Sequence, residues 1–425
     1  MEIEKNFGNI VQIEKGKEIY EGTLLPSPKS GIVLLKMENG YNIGFNKKEI
    51  LKMKLVKKIS HEMEDFEIKN SKDKPNVAFV VLGGTISARL NPGKGGVDFV
   101  ESPKDLFRYY PELFEVVNVK KVSVPFMKGS ENMDYKDWQK VAKSVSELVN
   151  NPNISGIIVT QGTDTLHYTS AALSFFLRNL GKPVVLTFSQ RSIDRGSSDA
   201  TLNLICSAKV ATANVSGVFV VGHANSDDEF CFAIRGTKAR KMHSSRRDAF
   251  KSVNSEPVFK VSKEKIEKIS DCTLRDNSKK CVVDNKFEEK VAVLKFYPGQ
   301  DPEILDYYLK KGYKGIVIEM VGLGHVATSG SRKSWIKKLK EVKKRGLIVC
   351  AVPQTIFGRL DPLVYVTGRE ILETGIIYLE DMLSETAYVK LGWVLGHKDW
   401  NSFPDKIKEK MLFNFAGELN NRLLE

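Results

Sequence analysis

The chain has 425 residues, of which 42% are apolar and 28% charged. This is close to the average for folded chains and excludes wholesale disorder and collagen-like repeats; at about 100–200 residues per domain, the length calls for two to four domains. Lys and Arg outnumber Asp and Glu by 65 to 52, a net charge of +13, which fits either a polyanionic partner or a generally basic surface.

The first residues, MEIEKNFGNIVQIEKGKEIY, contain acids and lack the apolar core of a secretory signal, and no run approaches the length of a membrane span. A cytoplasmic protein without membrane contact is expected. Residues 1–72 read as a small β-barrel: Glu18–Leu25 and 32–37 are short β-type runs broken by Pro26, Pro28 and Gly31. Asn39-Gly40 between two strand-like runs predicts a type I′ hairpin. The charged, breaker-rich stretch 69–75 (KNSKDKP) reads as a linker.

From residue 73 the period changes. VAFVVLGG, ISGIIVT, PVVLTF and 215–221 are continuous apolar strands, separated by helices expected at 134–150 and 169–179. Such alternation predicts a parallel, doubly wound sheet over 73–257. The polar stretch 258–290 reads as a connection. Residues 291–425 form a second, smaller α/β unit, with buried strands VAVLKFYPG, GIVIEMVG and GLIVCAVPQ and a helix at 334–345. The five cysteines (Cys206, Cys231, Cys272, Cys281, Cys350) are odd in number and form no C-x-x-C pair, which points to reduced thiols. Neither they nor the six histidines fall at metal-ligand spacing, so no metal is expected in this chain.

In open parallel sheets ligands sit beyond the carboxyl ends of the strands. After the first strand of the large unit comes Gly83-Gly84-Thr85-Ile86-Ser87, and after the second comes Gln161-Gly162-Thr163-Asp164-Thr165. Two threonines are thus brought to one sheet edge, beside glycines that let backbone N–H groups approach a ligand. Either motif alone reads equally well as a turn with an N-cap threonine.

In this order, each behind an apolar strand, the two motifs resemble the signatures of the bacterial-type asparaginase family, and the resemblance continues over most of 75–400. Ser130-Glu131-Asn132-Met133 with Trp138 resembles that family's substrate-binding segment, and Lys241 in KMHSSRRDAFKSVN, nine residues before Phe250, its catalytic lysine segment. Glu319-Met-Val-Gly-Leu-Gly and GIIYLEDMLSETAYVKLGWVLG (375–396) resemble its C-terminal subdomain. The resemblance implies an asparaginase-like two-subdomain α/β parallel-sheet fold, here preceded by the small barrel. It implies Thr85 as first nucleophile, Thr163, Asp164 and Lys241 as a base-and-relay triad, and Gly84, Ser130, Glu131 and Gly162 as substrate-binding residues. Ser130 and Glu131 would hold the α-carboxylate and α-amino groups, with Asp164 sharing the ammonium.

The chemistry suits these residue types. A threonine hydroxyl is inert until a base takes its proton, and lysine acts as a base only when neutral. Burial and a neighbouring cation such as Arg240 favour that state, and Asp164 opposes it. Which threonine carries the acyl group stays open at this level. Two departures from the family pattern stand out. Where many members have a tyrosine on a mobile lid, this chain reads Gly95-Gly96-Val97-Asp98-Phe99, and Phe188-Ser189-Gln190 replaces a Gly-Ala after the third strand. The first requires a different closure or a partner's help. The second puts the size of the pocket in question.

The N-terminal unit, with Tyr20-Glu21-Gly22 through Pro26-Ser27 and then Asn39-Gly40-Tyr41-Asn42-Ile43-Gly44, resembles the appended domain of the D subunits of archaeal-type glutamyl-tRNA(Gln) amidotransferases. Segments 191–203 (RSIDRGSSDATLN) and 241–250 also resemble those D subunits more closely than free asparaginases. This implies a glutaminase without a cofactor of its own, releasing ammonia for the amidotransferase E subunit, which uses ATP and Mg²⁺ to amidate Glu-tRNA(Gln), in a heterotetramer built on a homodimer of D subunits. Three rivals compete with this reading. A free-standing cytosolic asparaginase shares the core motifs but lacks the first domain. A dinucleotide enzyme is suggested by Gly322-Leu-Gly324-His-Val-Ala327, yet no acid ends the following strand. A non-enzymatic RNA-binding protein fits the charge and leaves the threonine motifs without a purpose.

Overall fold

The computed structural model describes residues 3–39, 41–58, 71–91, 96–99, 107–193 and 195–422. Strands β1 (Ile10–Lys15), β2 (Glu18–Leu25), β3 (Ile32–Lys36), β4 (Asn42–Asn46) and β5 (Lys52–Lys57) form an antiparallel sheet in the order β4-β3-β2-β1-β5. The small barrel takes this form, with no ladder between β4 and β5 among the described residues. Alternation sends Val11, Ile13, Leu24, Val33, Leu35 and Phe45 to one face, where they build a small core of their own. The hairpin expected at Asn39-Gly40 is present, with Lys36 opposite Asn42 and the Met37 N–H bonded to the Tyr41 carbonyl. Its turn type depends on Gly40, which lies outside the described residues. Most of the linker stretch, 59–70, lies outside them too.

The large sheet runs β18-β17-β14-β13-β12-β10-β6-β9. Its parallel part is β9 (Asn118–Ser123), β6 (Asn76–Val81), β10 (Gly156–Thr160), β12 (Pro183–Thr187) and β13 (Gly217–His223). The apolar runs are continuous because both faces are covered. Ala78, Val80 and Leu82 face helices Tyr135–Val149 and Leu166–Phe176, while Val77, Phe79 and Val81 face helix Ala200–Thr212. The first of these helices opens with a capping box between Asp134 and Asp137. The second starts at Leu166 and stops at Phe176, offset from the expected 169–179, because Leu177–Arg178 turns into a short strand, β11, paired with β19 (Val282–Val283). β14 (Phe230–Arg235), β17 (Phe259–Ser262) and β18 (Ile266–Lys268) add antiparallel strands. Part of the stretch 258–290, expected as a plain connection, therefore belongs to the sheet. Two hairpins stand apart: β7 (Ala88–Asn91) with β8 (Gly96–Phe99), and β15 (Ala239–Lys241) with β16 (Phe250–Ser252).

The second α/β unit is a parallel sheet in the order β20-β21-β22-β23, from β20 (Val291–Lys295), β21 (Gly315–Met320), β22 (Ile348–Pro353) and β23 (Ile377–Tyr378). β20 is an edge strand with alternate residues exposed, whereas β21 and β22 are nearly all buried. Helix Ser384–Leu395 is buried on almost every side and packs against both units; its Trp393 stacks on Phe175 with ring centroids 5.5 Å apart. Gly322 and Gly324, with φ of 53° and 105°, serve a tight turn closed by a Val321–His325 bridge, and the next helix begins only at Ile336. No helix N-terminus follows the glycines to receive a pyrophosphate, so the dinucleotide reading fails. All five cysteines are free thiols. Among the described residues no helix is long and apolar enough to cross a membrane, and no cluster of His, Cys, Asp or Glu is arranged to hold a metal ion.

Candidate active site

Three loops meet at the carboxyl ends of β6 and β10. Gly83 and Gly84 leave β6 with φ of 106° and 83°, a conformation that disfavours side chains. They deliver Thr85 into a short 3₁₀ turn, Thr85–Ser87. A Cβ on Gly84 would lie 2.2 Å from the Gly162 nitrogen, so the two signature loops touch backbone to backbone. The third loop crosses at Lys128–Met133: a Cβ on Gly83 would strike the Lys128 carbonyl oxygen at 2.7 Å, and one on Gly162 would reach Ser130 Oγ at 3.0 Å. The Lys128 ammonium, donating to both oxygens of buried Asp137 at 2.9 and 2.8 Å, anchors this loop to the adjacent helix.

Ser130 is almost fully buried; its Oγ accepts from the Asp164 N–H at 3.1 Å and its carbonyl from Thr165 Oγ1 at 2.6 Å. The hydroxyl hydrogen remains free to donate to a ligand carboxylate. Glu131 is exposed, with its carboxylate folded over Gly129 and accepting from Asn132 Nδ2 at 3.1 Å. Met133 and Trp138 pack into the core beneath the loop, Trp138 stacked on Tyr168 at 6.5 Å.

Lys241 stands on β15, directly opposite Phe250 on β16. Its Nζ donates to Thr163 Oγ1 at 2.8 Å and to Asp164 Oδ1 at 2.7 Å. Thr163 is buried and Thr85 half-buried, and among the described residues the Thr85 hydroxyl carries no hydrogen bond. The structure thus brings together Thr163, Asp164 and Lys241 by direct contact, and Thr85, Gly84, Gly162 and Ser130 by contact of their loops. The Glu131 carboxylate makes no contact with the threonines, Asp164 or Lys241.

Phe188 does not stand in an open pocket. It is fully buried, its ring 4.6 Å from that of Phe250, and it occupies the space that a side chain on Gly222 would need. It supports the hairpin that carries Lys241. The neighbouring segment 191–203 is tied by Asp199, which accepts from the Gln190 and Arg191 N–H groups, and by Asn203, whose amide donates to the Phe188 carbonyl at 2.9 Å. Burial raises the Asp199 carboxyl above its usual range, with those backbone donors opposing the rise. In the lid region, β8 pairs along β7, and Gly95 lies outside the described residues.

Behind Lys241 lies a group that sequence reasoning missed. Glu385 Oε1 is 3.4 Å from Arg240 Nη2 and 3.7 Å from His167 Nε2. His167 is pushed down to about 3, first by burial and then by the Arg240 and Lys241 charges, so its imidazole is neutral at ordinary pH. The signal for Glu385 lay within the 375–396 segment, without anything to single it out. The 740 Å³ cavity lined by Lys343, Leu347, Leu372 and Ile407 lies in the second unit, remote from the threonines.

Comparison with known proteins follows the same division. Residues 76–273 match the model "Asparaginase, N-terminal", 290–411 the "Glutaminase/Asparaginase C-terminal domain", and 5–56 the "GatD N-terminal domain". The fold resembles the thermostable L-asparaginase from Thermococcus kodakarensis, with a TM-score of 0.72 and 28% identity, over 82% of this chain and 100% of that one. It also resembles L-asparaginase I from Vibrio cholerae, with a TM-score of 0.70 and 25% identity, over 82% and 99%. The glutamyl-tRNA(Gln) amidotransferase D subunit of Pyrococcus horikoshii is 44% identical over 423 residues, 97% of this chain and 94% of that protein. The corresponding D subunit of Methanococcus maripaludis is 39% identical over 98% of both chains. With all three domain models matched in order and both relatives aligned almost end to end, the chain belongs to the family of glutamyl-tRNA(Gln) amidotransferase D subunits, built on an asparaginase core.

Proposed function

We propose that this chain hydrolyses glutamine and supplies the ammonia with which a partner, the amidotransferase E subunit, converts Glu-tRNA(Gln) to Gln-tRNA(Gln) using ATP and Mg²⁺. The observation that carries the reading is Lys241 Nζ in contact with both Thr163 and Asp164, in a chain that also has the D-subunit N-terminal domain. Thr85 Oγ1 attacks the carboxamide carbon of glutamine and its proton passes through Thr163 to Lys241. The tetrahedral oxyanion is met by backbone N–H groups of the glycine-lined loops. Collapse breaks the C–N bond as the amide nitrogen takes back the proton held on Lys241 and leaves as ammonia, and water then hydrolyses the threonine ester to glutamate and a free Thr85 hydroxyl. Ser130 and Glu131 receive the α-carboxylate and α-amino groups, with Asp164 sharing the ammonium; Gly84 and Gly162 leave room for the backbone to approach the substrate.

The D subunits pair as a homodimer inside a cytoplasmic heterotetramer, and the ATP chemistry belongs to the partner. A free-standing L-asparaginase accounts for the core, but it leaves the first 72 residues without a role. The reading is tested by measuring ammonia release from glutamine and from asparagine, with and without the E subunit and glutamylated tRNA. Strong stimulation with glutamine is expected; equal, unstimulated hydrolysis of both amino acids favours the free hydrolase.

A further inference from the structure

Residues 237–241, which lead into and form the strand that carries Lys241, are held from the second unit at three places. Thr386 Oγ1 donates to the Thr237 carbonyl at 2.9 Å. The Lys238 ammonium meets Asp381 Oδ2 at 2.6 Å, with both side chains fully buried. Arg240 Nη2 lies 3.4 Å from Glu385 Oε1. Asp381 is itself fixed by the Asn420 backbone N–H and side-chain amide, at 3.0 and 2.7 Å. Residues 381–386 run into helix Ser384–Leu395, whose body joins the two units.

Successive side chains on a strand point to opposite faces. Lys241 faces Thr163 and Asp164, and Arg240 turns back towards Glu385. The charged and titratable groups facing Lys241 and Arg240 include Asp164 on the loop after β10, His167 and Tyr168 on the following helix and Glu385 from the second unit. Glu385 is buried, at 8% exposure, yet its Oε2 has no hydrogen-bond partner among the described residues, and neither does His167 Nδ1. A structural ion pair is strongest when both carboxylate oxygens are engaged. Here Oε1 lies between the Arg240 guanidinium and the His167 imidazole, so β15 and helix Leu166–Phe176 meet at one carboxylate oxygen supplied by the second unit.

We infer that Glu385 is a positioning residue for Lys241: through Arg240 it sets the placement of β15, the strand that presents the lysine. The second unit thereby controls the geometry of a lysine that belongs to the first. The inference rests on the reading of Lys241 as the catalytic lysine.

The test uses the full chain with the E subunit and glutamylated tRNA, measuring kcat and KM for glutamine in Glu385→Gln, Arg240→Met, the double variant and Lys241→Arg. Glu385→Gln should lower kcat by about tenfold or more with KM changed less than about threefold, the pattern of a group that acts only in the chemical step. Arg240→Met, at a partly exposed side chain, should lose a similar factor and carries the test if Glu385→Gln fails to fold. The double variant should be no worse than the poorer single variant, because both remove one interaction. Undiminished kcat in the single variants, or losses that multiply in the double variant, would overturn the inference while an inactive Lys241→Arg leaves the site assignment standing. A Lys241→Arg variant with normal turnover would overturn both.

Discussion

Gly84 and Gly162 stand on separate signature loops, and a methyl group on Gly84 would lie 2.2 Å from the Gly162 nitrogen and 2.3 Å from its Cα. Gly84 also has a φ of 83°, where side chains are strained. The obstruction is backbone, so nothing can swing aside. Gly84→Ala should cost on the order of 1–3 kcal/mol in stability and displace Thr85 from Thr163, with turnover falling by about 10²-fold or more. Urea unfolding and ammonia release check the two effects. Gly330, where a Cβ would meet open space, provides the control: Gly330→Ala should change neither.

Removal of the reacting groups gives a larger effect. Thr85→Val and Thr163→Val should each reduce turnover by at least about 10³-fold without unfolding the chain, since nucleophile and relay act as a unit. Lys241→Arg keeps the charge but cannot give up its proton, and should be nearly inactive. Single-turnover ammonia release compares the three variants, and near-normal turnover in Thr163→Val would take that residue out of the relay.

Glu131 differs in kind. It is exposed and does not touch the Lys241 cluster, so a role in holding the α-amino group predicts an effect on binding alone. Glu131→Gln should raise KM for glutamine several-fold more than it lowers kcat, as expected of uniform binding. A fall in kcat at unchanged KM would contradict this role.

His167 makes the stability depend on pH. Its folded value of about 3 lies below the unfolded 6.5, so between those limits the unfolded chain holds a proton that the folded chain lacks. Stability rises with pH in that window and is lost as pH falls from 6.5 towards 3. In His167→Gln the slope of unfolding free energy against pH from 6.5 down to 4 should be shallower, by up to about 1.4 kcal/mol per pH unit. Identical slopes in the two proteins would mean that the imidazole is not held neutral by burial.

The features that rest on local pattern were legible in the sequence. Continuous apolar runs ended at glycine-threonine loops, so both threonines could be placed at strand ends; Lys241 was marked only by the family resemblance of its segment, and the structure sets it opposite Phe250 across a hairpin. The hairpin after β3 is likewise a short-range signal. The arrangement of Arg240, Glu385 and Lys238 with Asp381 was not legible, because it joins positions more than a hundred residues apart with no period linking them. Phe188 looked like an obstruction at the substrate since its neighbours on the sheet were known but its direction was not; Gly222 and Phe250 decide that direction. β17 and β18 were hidden by lysines and acids that alternate with apolar residues on an exposed sheet margin.

The central claim is that the hydrolytic core serves a tRNA-dependent complex through its N-terminal domain, and the most direct measurement compares the full chain with one lacking residues 1–72. Ammonia release from glutamine is followed for both, with the E subunit present and glutamylated tRNA added or withheld, at low and high salt. The full chain should be strongly stimulated by the tRNA, with the stimulation weakened by salt as expected for phosphate contacts. The shortened chain should stay folded and dimeric and lose the stimulation. Equal hydrolysis by both proteins, indifferent to tRNA and to the partner, would contradict the account and leave a free-standing asparaginase in its place.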